Sequence, residues 1–360
     1  MPKPKPKPDP KKLDGNMVVP PAQSAMQWQD AVQLTVEGKG WADTLAPFDR
    51  LPARARGVVR EPVWELSRHT AGVCVRFASD ATEISARWTL AGGSLAMDHM
   101  PATGVSGLDL YVLHAGRWRW LGVGRPKELP ANTCALTGGL KPGMRQFMLY
   151  LPLYNQATAV EIGVPKGSFI GPGPARPRQT RPICVYGTSI VQGGCASRPG
   201  MAYPAILGRR LNKPMLNLGF SGNGKAEPEM AALLAELNPS VYVLDCLPNL
   251  TVQEVSQRIE PMVQVLRAAH ADTPIVLVEN IVYQNAPLSA AREESYKAKN
   301  AALRAVWRRL QKRQTPKLHY VTGDSLLGDD WDATVDGAHP NDLGFYRMAS
   351  ALLGVLEELV

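Results

Sequence analysis

The chain has 360 residues, 45% of them hydrophobic, and a net charge of +8. That is enough apolar material for two buried cores, and no apolar run approaches the ~20 residues of a membrane-spanning helix. The charge does not mark a nucleic-acid groove: residues 1–12 supply five Lys against one Asp, half of the excess, and no basic stripe interleaved with aromatics follows.

The alternating Lys-Pro start reads as an extended, solvated tail over residues 1–25. It lacks the apolar stretch of a signal peptide. A spacer behind a removed export signal has this composition, and so does a cytosolic tail; export is the expectation taken forward. Of the five cysteines, none forms a C-x-x-C pair and no His cluster accompanies them, so neither a metal site nor a cofactor is expected. Cys195 and Cys246 fall just beyond predicted strands, and whether they pair is left open.

From Trp41 to Val164 the pattern has a two-residue period. Val73, Val75 and Phe77 share one face of a strand, as do Ile84, Ala86 and Trp88. Further short strands are predicted at Leu110–Leu113, Arg117–Val123, Gln146–Leu153 and Val160–Val164, with turn residues between them and no convincing helix. This predicts an all-β sandwich or jelly roll over 26–168. The Pro/Gly/Arg-rich run that follows, 169–181, reads as a linker.

From residue 182 to 360 strands and helices alternate. Strands are predicted at Ile183–Tyr186, Pro214–Leu218, Val241–Asp245, Ile275–Glu279 and Leu318–Val321. Helices are predicted at Met201–Leu211, Glu227–Leu237, Thr251–His270, Leu288–Arg313 and Asp342–Leu359. The third of these opens on a Thr251/Glu254 capping box and aligns Val252, Val255, Ile259, Met262, Val263 and Leu266 on one stripe. Such βα repetition implies a parallel sheet covered on both faces, with ligands beyond the C-terminal ends of its strands.

Chemistry-bearing residues collect at those ends. The first strand runs into Gly187-Thr188-Ser189-Ile190, a corner that exposes a serine hydroxyl. A serine needs a base, and the base needs an orienter. Both occur in Asp336-Gly337-Ala338-His339-Pro340 after the last strand: His339 as general base, and Asp336, three residues earlier, to hold its other ring nitrogen. Oxyanion donors are offered after the second strand by the glycine-rich run Gly219–Gly224, which contains Gly222, and after the third by the amide of Asn249.

These four segments together resemble the SGNH hydrolases, the GDSL-type esterase/lipase family. GTSI carries Ser189, GFSGNG carries Gly222, DCLPN carries Asn249, and DGAHP carries Asp336 and His339. The resemblance implies a three-layer, flavodoxin-like α/β domain and an oxyanion hole made by the N–H of Ser189, the N–H of Gly222 and the Asn249 amide. The sequence departs from the family pattern in reading GTSI for GDSL and in having Pro248 where Gly is common. Gly107-Leu108-Asp109-Leu110-Tyr111 resembles the GxDLY signature of a β-sandwich that precedes some SGNH domains. Asp109 and Tyr111 are read as structural. The loop with Asp98, His99 and Met100 is a candidate for reaching the site, with no pattern to decide it.

The expected activity is hydrolysis of short acyl esters, acetyl first, on a carbohydrate, through an acyl-enzyme. A lipase or thioesterase would use the same residues. A non-catalytic sugar-binding protein would instead use Trp118 and Trp120, which flank Arg119, as a platform. Gly219–Lys225 fits the GxxxxGK spacing of a P-loop, but Ala226 lacks the hydroxyl that holds Mg²⁺. The partner expected is a small acyl ester or an acylated carbohydrate, and no nucleic acid. Oligomeric state is not legible.

Overall fold

The computed structural model describes residues 25–360, so all but the last residue of the Pro/Lys tail lies outside the described part. The chain forms an antiparallel β-sandwich followed by a three-layer α/β unit built on a parallel sheet.

The sandwich strands are β1 (Met26–Asp30), β2 (Thr35–Glu37), β3 (Cys74–Ser79), β4 (Ile84–Leu90), β5 (Leu108–His114), β6 (Arg117–Gly124), β7 (Ala131–Thr137), β8 (Arg145–Tyr150), β9 (Ala157–Pro165) and β10 (Ile170–Pro172). One sheet runs β1-β9-β4-β7; the other runs β10-β3-β8-β5-β6, with β2 also on β3. Alternation decides what each face covers. Val75, Phe77, Phe147 and Leu149 point into the sandwich core, against Ile84, Ala86, Trp88 and Ile162 of the facing sheet. Their neighbours Cys74, Met148 and Tyr150 point the other way and pack with Tyr111 on Ala205 of the α/β unit.

Two expectations are corrected here. The stretch 169–181 is not linker throughout, because Ile170–Pro172 pairs antiparallel with Phe77–Ser79 of β3. Its backbone finds ladder partners at a sheet edge, where proline is tolerated. The first half also contains two short helices, α1 (Glu61–Ser67), with proline in its first turn, and α2 (Ala102–Val105). Two turns are too few for a helical period to stand out in the sequence.

The parallel sheet contains β11 (Ile183–Gly187), β12 (Met215–Gly219), β13 (Val241–Asp245), β14 (Ile275–Val278) and β15 (Leu318–Val321), in the order β12-β11-β13-β14-β15. This is the flavodoxin-like order, whose switch point lies beside the first strand. One face, through Cys184, Tyr186, Leu218 and Leu244, packs on α5 (Pro228–Ala235), α6 (Val252–Ala269) and α7 (Ala290–Lys312). The other, through Ile183, Val185, Val243 and Val276, packs on α4 (Tyr203–Leu211) and α8 (Asp342–Leu356). Thr251 and Glu254 close the capping box of α6. Its buried stripe omits Val252, which is exposed at the first helical position.

The two halves share a core. Trp41, Leu51, Val63 and Trp64 from the segment before β3 lie against Leu216, Leu218 and Phe220 of the parallel sheet. Arg50, only 1% exposed, pins this segment. Its guanidinium donates to the carbonyls of Asn217 (3.0 Å) and Gly219 (2.7 Å) at the end of β12, and to those of Leu66 and His69. Burial is the main cause that lowers its pKa, to about 9. The GxDLY segment supplies a second tie. Asp109 accepts from Arg198 and from the Gly200 N–H, both at 2.8 Å, and Tyr111 accepts from Arg198 at 2.6 Å.

Candidate active site

β11 ends where only glycine fits, since a Cβ on Gly187 would lie 2.0 Å from the Asp245 carbonyl of the neighbouring strand. Thr188 then caps a single turn, α3 (Ser189–Gln192), by accepting from the Ile190 N–H, and Gly193 ends it at φ +113°. Ser189 is therefore the first residue of a helix, where its N–H has no intrahelical acceptor. Its side chain stands at the sheet's C-terminal edge, 7% exposed.

The turn before α8 brings His339 to Ser189. Ser189 Oγ lies 2.9 Å from His339 Nε2, and His339 Nδ1 lies 2.7 Å from Asp336 Oδ2. Asp336 Oδ1 also accepts from the N–H groups of His339 (2.7 Å) and Ala338 (3.0 Å), so the turn orients its own acid. Gln284, which donates its N–H to the Gly337 carbonyl and accepts from the Ala333 N–H, ties this turn to the loop after β14. With Asp336 accepting at Nδ1, the imidazole carries its proton there and presents Nε2 as the acceptor for the Ser189 hydroxyl.

The oxyanion candidates lie on the neighbouring loops. Gly222 adopts φ +69°, left-handed backbone that glycine takes without penalty, and among the described residues nothing accepts from its N–H. The Asn249 oxygen accepts from the Gly224 N–H at 3.2 Å, which turns its NH₂ outward for another acceptor. Gln192 holds the Gly222 loop to α3. Fully buried, it accepts from the Ser221 N–H (3.0 Å) and donates to the Leu153 carbonyl (3.0 Å) and His69 Nδ1 (3.1 Å). Burial, helped by the Arg50 charge, lowers the His69 pKa to about 4, so its ring is neutral and can accept.

Gln192, His69 and Tyr154, whose hydroxyl donates to the Ser189 carbonyl at 3.2 Å, escaped the sequence reading. Nothing local marks them, because each bond closes between distant parts of the chain. His99 is also brought in: its ring centroid lies 5.8 Å from that of His339. Trp118 is half-buried and Trp120 is exposed. Trp118 packs beside Tyr111 and Tyr150, and Trp120 donates to Asp109.

Cys195 is no rival nucleophile. Burial first, and the Asp336 charge second, push its thiol up to about 12. All five cysteines are free thiols, Cys195 and Cys246 included. Asp245, buried at the end of β13, accepts from the Tyr203 hydroxyl at 2.8 Å; burial raises its pKa to about 7.

The sequence model of the GDSL-like lipase/acylhydrolase family matches residues 180–357, and that of the GxDLY N-terminus of SGNH-type esterases matches residues 26–170. A solved GDSL-like lipase from Bacteroides ovatus is 33% identical over 93% of this chain and 98% of its own, with a TM-score of 0.88. The chain belongs to the GDSL-like lipase/acylhydrolase family. As a member it is a carboxylic ester hydrolase. The fold also recurs in the salicylyl-acyltransferase SsfX3 of a tetracycline biosynthetic pathway (20% identity, 95% and 96% coverage, TM-score 0.70). It recurs again in a family two carbohydrate esterase from Clostridium thermocellum, solved with cellohexaose (16% identity, 80% and 92% coverage, TM-score 0.54). No curated protein matches the chain. Among the described residues no helix is long and apolar enough to cross a membrane.

Proposed function

We propose that this esterase cleaves short acyl esters, acetyl first, from a carbohydrate, with Ser189 as nucleophile, His339 as base and Asp336 as its orienter. The observation that carries the reading is the hydrogen-bond chain Ser189–His339–Asp336 at 2.9 and 2.7 Å, beside the Gly222 N–H and the Asn249 NH₂, which have no acceptor among the described residues. Ser189 Oγ attacks the ester carbonyl while its proton passes to His339 Nε2. The oxyanion is held by the N–H groups of Ser189 and Gly222 and by the Asn249 NH₂. His339 returns its proton to the departing alcohol. It then draws a proton from water, which attacks the acyl-enzyme; collapse returns that proton from His339 to Ser189 Oγ and releases the acid.

The carbohydrate half of the reading is supported by the shared fold with an esterase solved on cellohexaose. Export belongs to the same proposal, since a glycan outside the cell is reached only by an exported enzyme. The test is hydrolysis of p-nitrophenyl acetate and p-nitrophenyl octanoate by wild type, Ser189→Ala and Asn249→Ala. Ser189→Ala is expected to lose at least roughly 10³-fold in kcat, Asn249→Ala roughly 10²–10³-fold, and acetate is the better ester. A Ser189→Ala variant as active as wild type would overturn the assignment; octanoate preference would move the substrate to lipids.

A further inference from the structure

The mouth of the site is shared by the sandwich. Between β4 and β5 the chain makes a tight turn in which Met97 and Met100 exchange both backbone hydrogen bonds, each 3.0 Å. Met100 is buried in the core around α4 and α8, so the turn is anchored, while the tip residues Asp98 and His99 stay exposed. The His99 ring stands beside that of His339, tilted by 57°. Among the described residues no hydrogen bond or ion pair engages the Asp98 carboxylate or the His99 ring nitrogens.

The chemistry of ester cleavage says which half of a substrate this tip meets. The oxyanion donors sit on the loops of Gly222 and Asn249. The departing alcohol must instead receive its proton from His339, so it leaves across the His339 ring. A group beside that ring faces the alcohol half of the ester and not the acyl half. A free carboxylate and a free imidazole, one acceptor-only and the other both donor and acceptor, suit neighbouring hydroxyls.

We propose that the Asp98–His99 tip is an alcohol-side subsite that selects polyhydroxylated alcohols, as in a sugar unit, over plain ones. The proposal rests on the esterase reading above and adds the residues that would give it sugar preference. The acyl half is left to the other loops, so the subsite sorts esters by alcohol and not by acyl length.

The experiment compares kcat/KM for an acetylated methyl glucoside, cyclohexyl acetate and p-nitrophenyl acetate in wild type, His99→Ala and His99→Gln. Wild type is expected to favour the glucoside over cyclohexyl acetate. His99→Ala is expected to lower that ratio about tenfold, mostly through KM, the effect of one lost hydrogen bond. His99→Gln, which keeps a donor and an acceptor, is expected to recover part of it. A ratio that stays within twofold of wild type in His99→Ala overturns the subsite while leaving the sugar esterase intact. Equal loss on all three esters overturns it too, since His99 would then act through His339. A wild type that cleaves p-nitrophenyl acetate but prefers cyclohexyl acetate to the glucoside overturns the sugar reading and the subsite together.

Discussion

At the scale of single residues, Asp336 shows how a local turn holds a carboxylate ionised. Burial works to raise its pKa, but hydrogen bonds from the His339 N–H and ring and from the Ala338 N–H outweigh burial and hold it at about 2. A folded-state pKa below the unfolded value means that this group's stabilisation is complete above pH ~4 and is lost as pH falls towards 2. The side chain is 41% exposed, so solvent screens the effect on stability. The functional consequence is sharper. Between pH 4 and 8 the acid limb of kcat/KM is expected to contain no Asp336 ionisation, which a pH–rate profile checks. Asp336→Asn is expected to lose about 10⁴-fold in kcat with its circular dichroism unchanged, because the amide offers Nδ1 the wrong partner. Asp336 and His339 were legible because both sit in one five-residue turn. His69 was not, since its partner Gln192 lies more than a hundred residues away, and the His99 loop could be named only as a candidate because His339 lies farther still.

At the scale of elements, α3 does two jobs within a single turn. Its first residue presents the Ser189 hydroxyl, and its last, Gln192, fixes the Gly222 loop through Ser221 and reaches His69 and Leu153 of the first half. Gln192→Leu strands the Ser221 N–H and the Leu153 carbonyl. It is expected to cost about 1–3 kcal/mol of stability and, if the Gly222 N–H serves the oxyanion as proposed, to lower kcat at least roughly tenfold with little change in KM. Thermal unfolding and steady-state kinetics on p-nitrophenyl acetate check both parts. The βα units of the second half were readable because buried parallel strands appear as apolar runs and amphipathic helices as stripes. Helix α1 and strand β10 were not: one is two turns long, and the other is a three-residue edge strand whose identity depends on β3.

At the scale of the whole molecule, the sandwich and the α/β unit are joined by apolar packing and by buried polar ties. Asp109, fully buried, accepts from Arg198, Gly200 and Trp120. Burial raises its pKa, against the pull of Arg198 and Arg209. Asp109→Ala would leave Arg198 without its carboxylate and is expected to cost about 3–5 kcal/mol. Because Trp41, Leu51 and Trp64 complete the core of the parallel sheet, wild type is expected to unfold in one calorimetric transition. The same scan of Asp109→Ala should show a lower midpoint, with esterase activity lost at that same temperature. Two separate transitions in wild type would show that the shared core does not couple the halves.

The sequence alone determined the things that local pattern encodes. Period-two alternation in the first half and βα repetition in the second set the two layer types, and the four strand-end segments carried Ser189, Gly222, Asn249, Asp336 and His339. Tertiary structure decided what depends on which surfaces meet. It packed Trp118 beside Tyr111, bonded the Trp120 indole to Asp109, turned Asp109 and Tyr111 onto Arg198, threaded Arg50 into the end of β12, and set His99 beside His339. Those contacts close over long stretches of chain, and hydrophobic periodicity fixes which face of an element is buried but not which partner buries it.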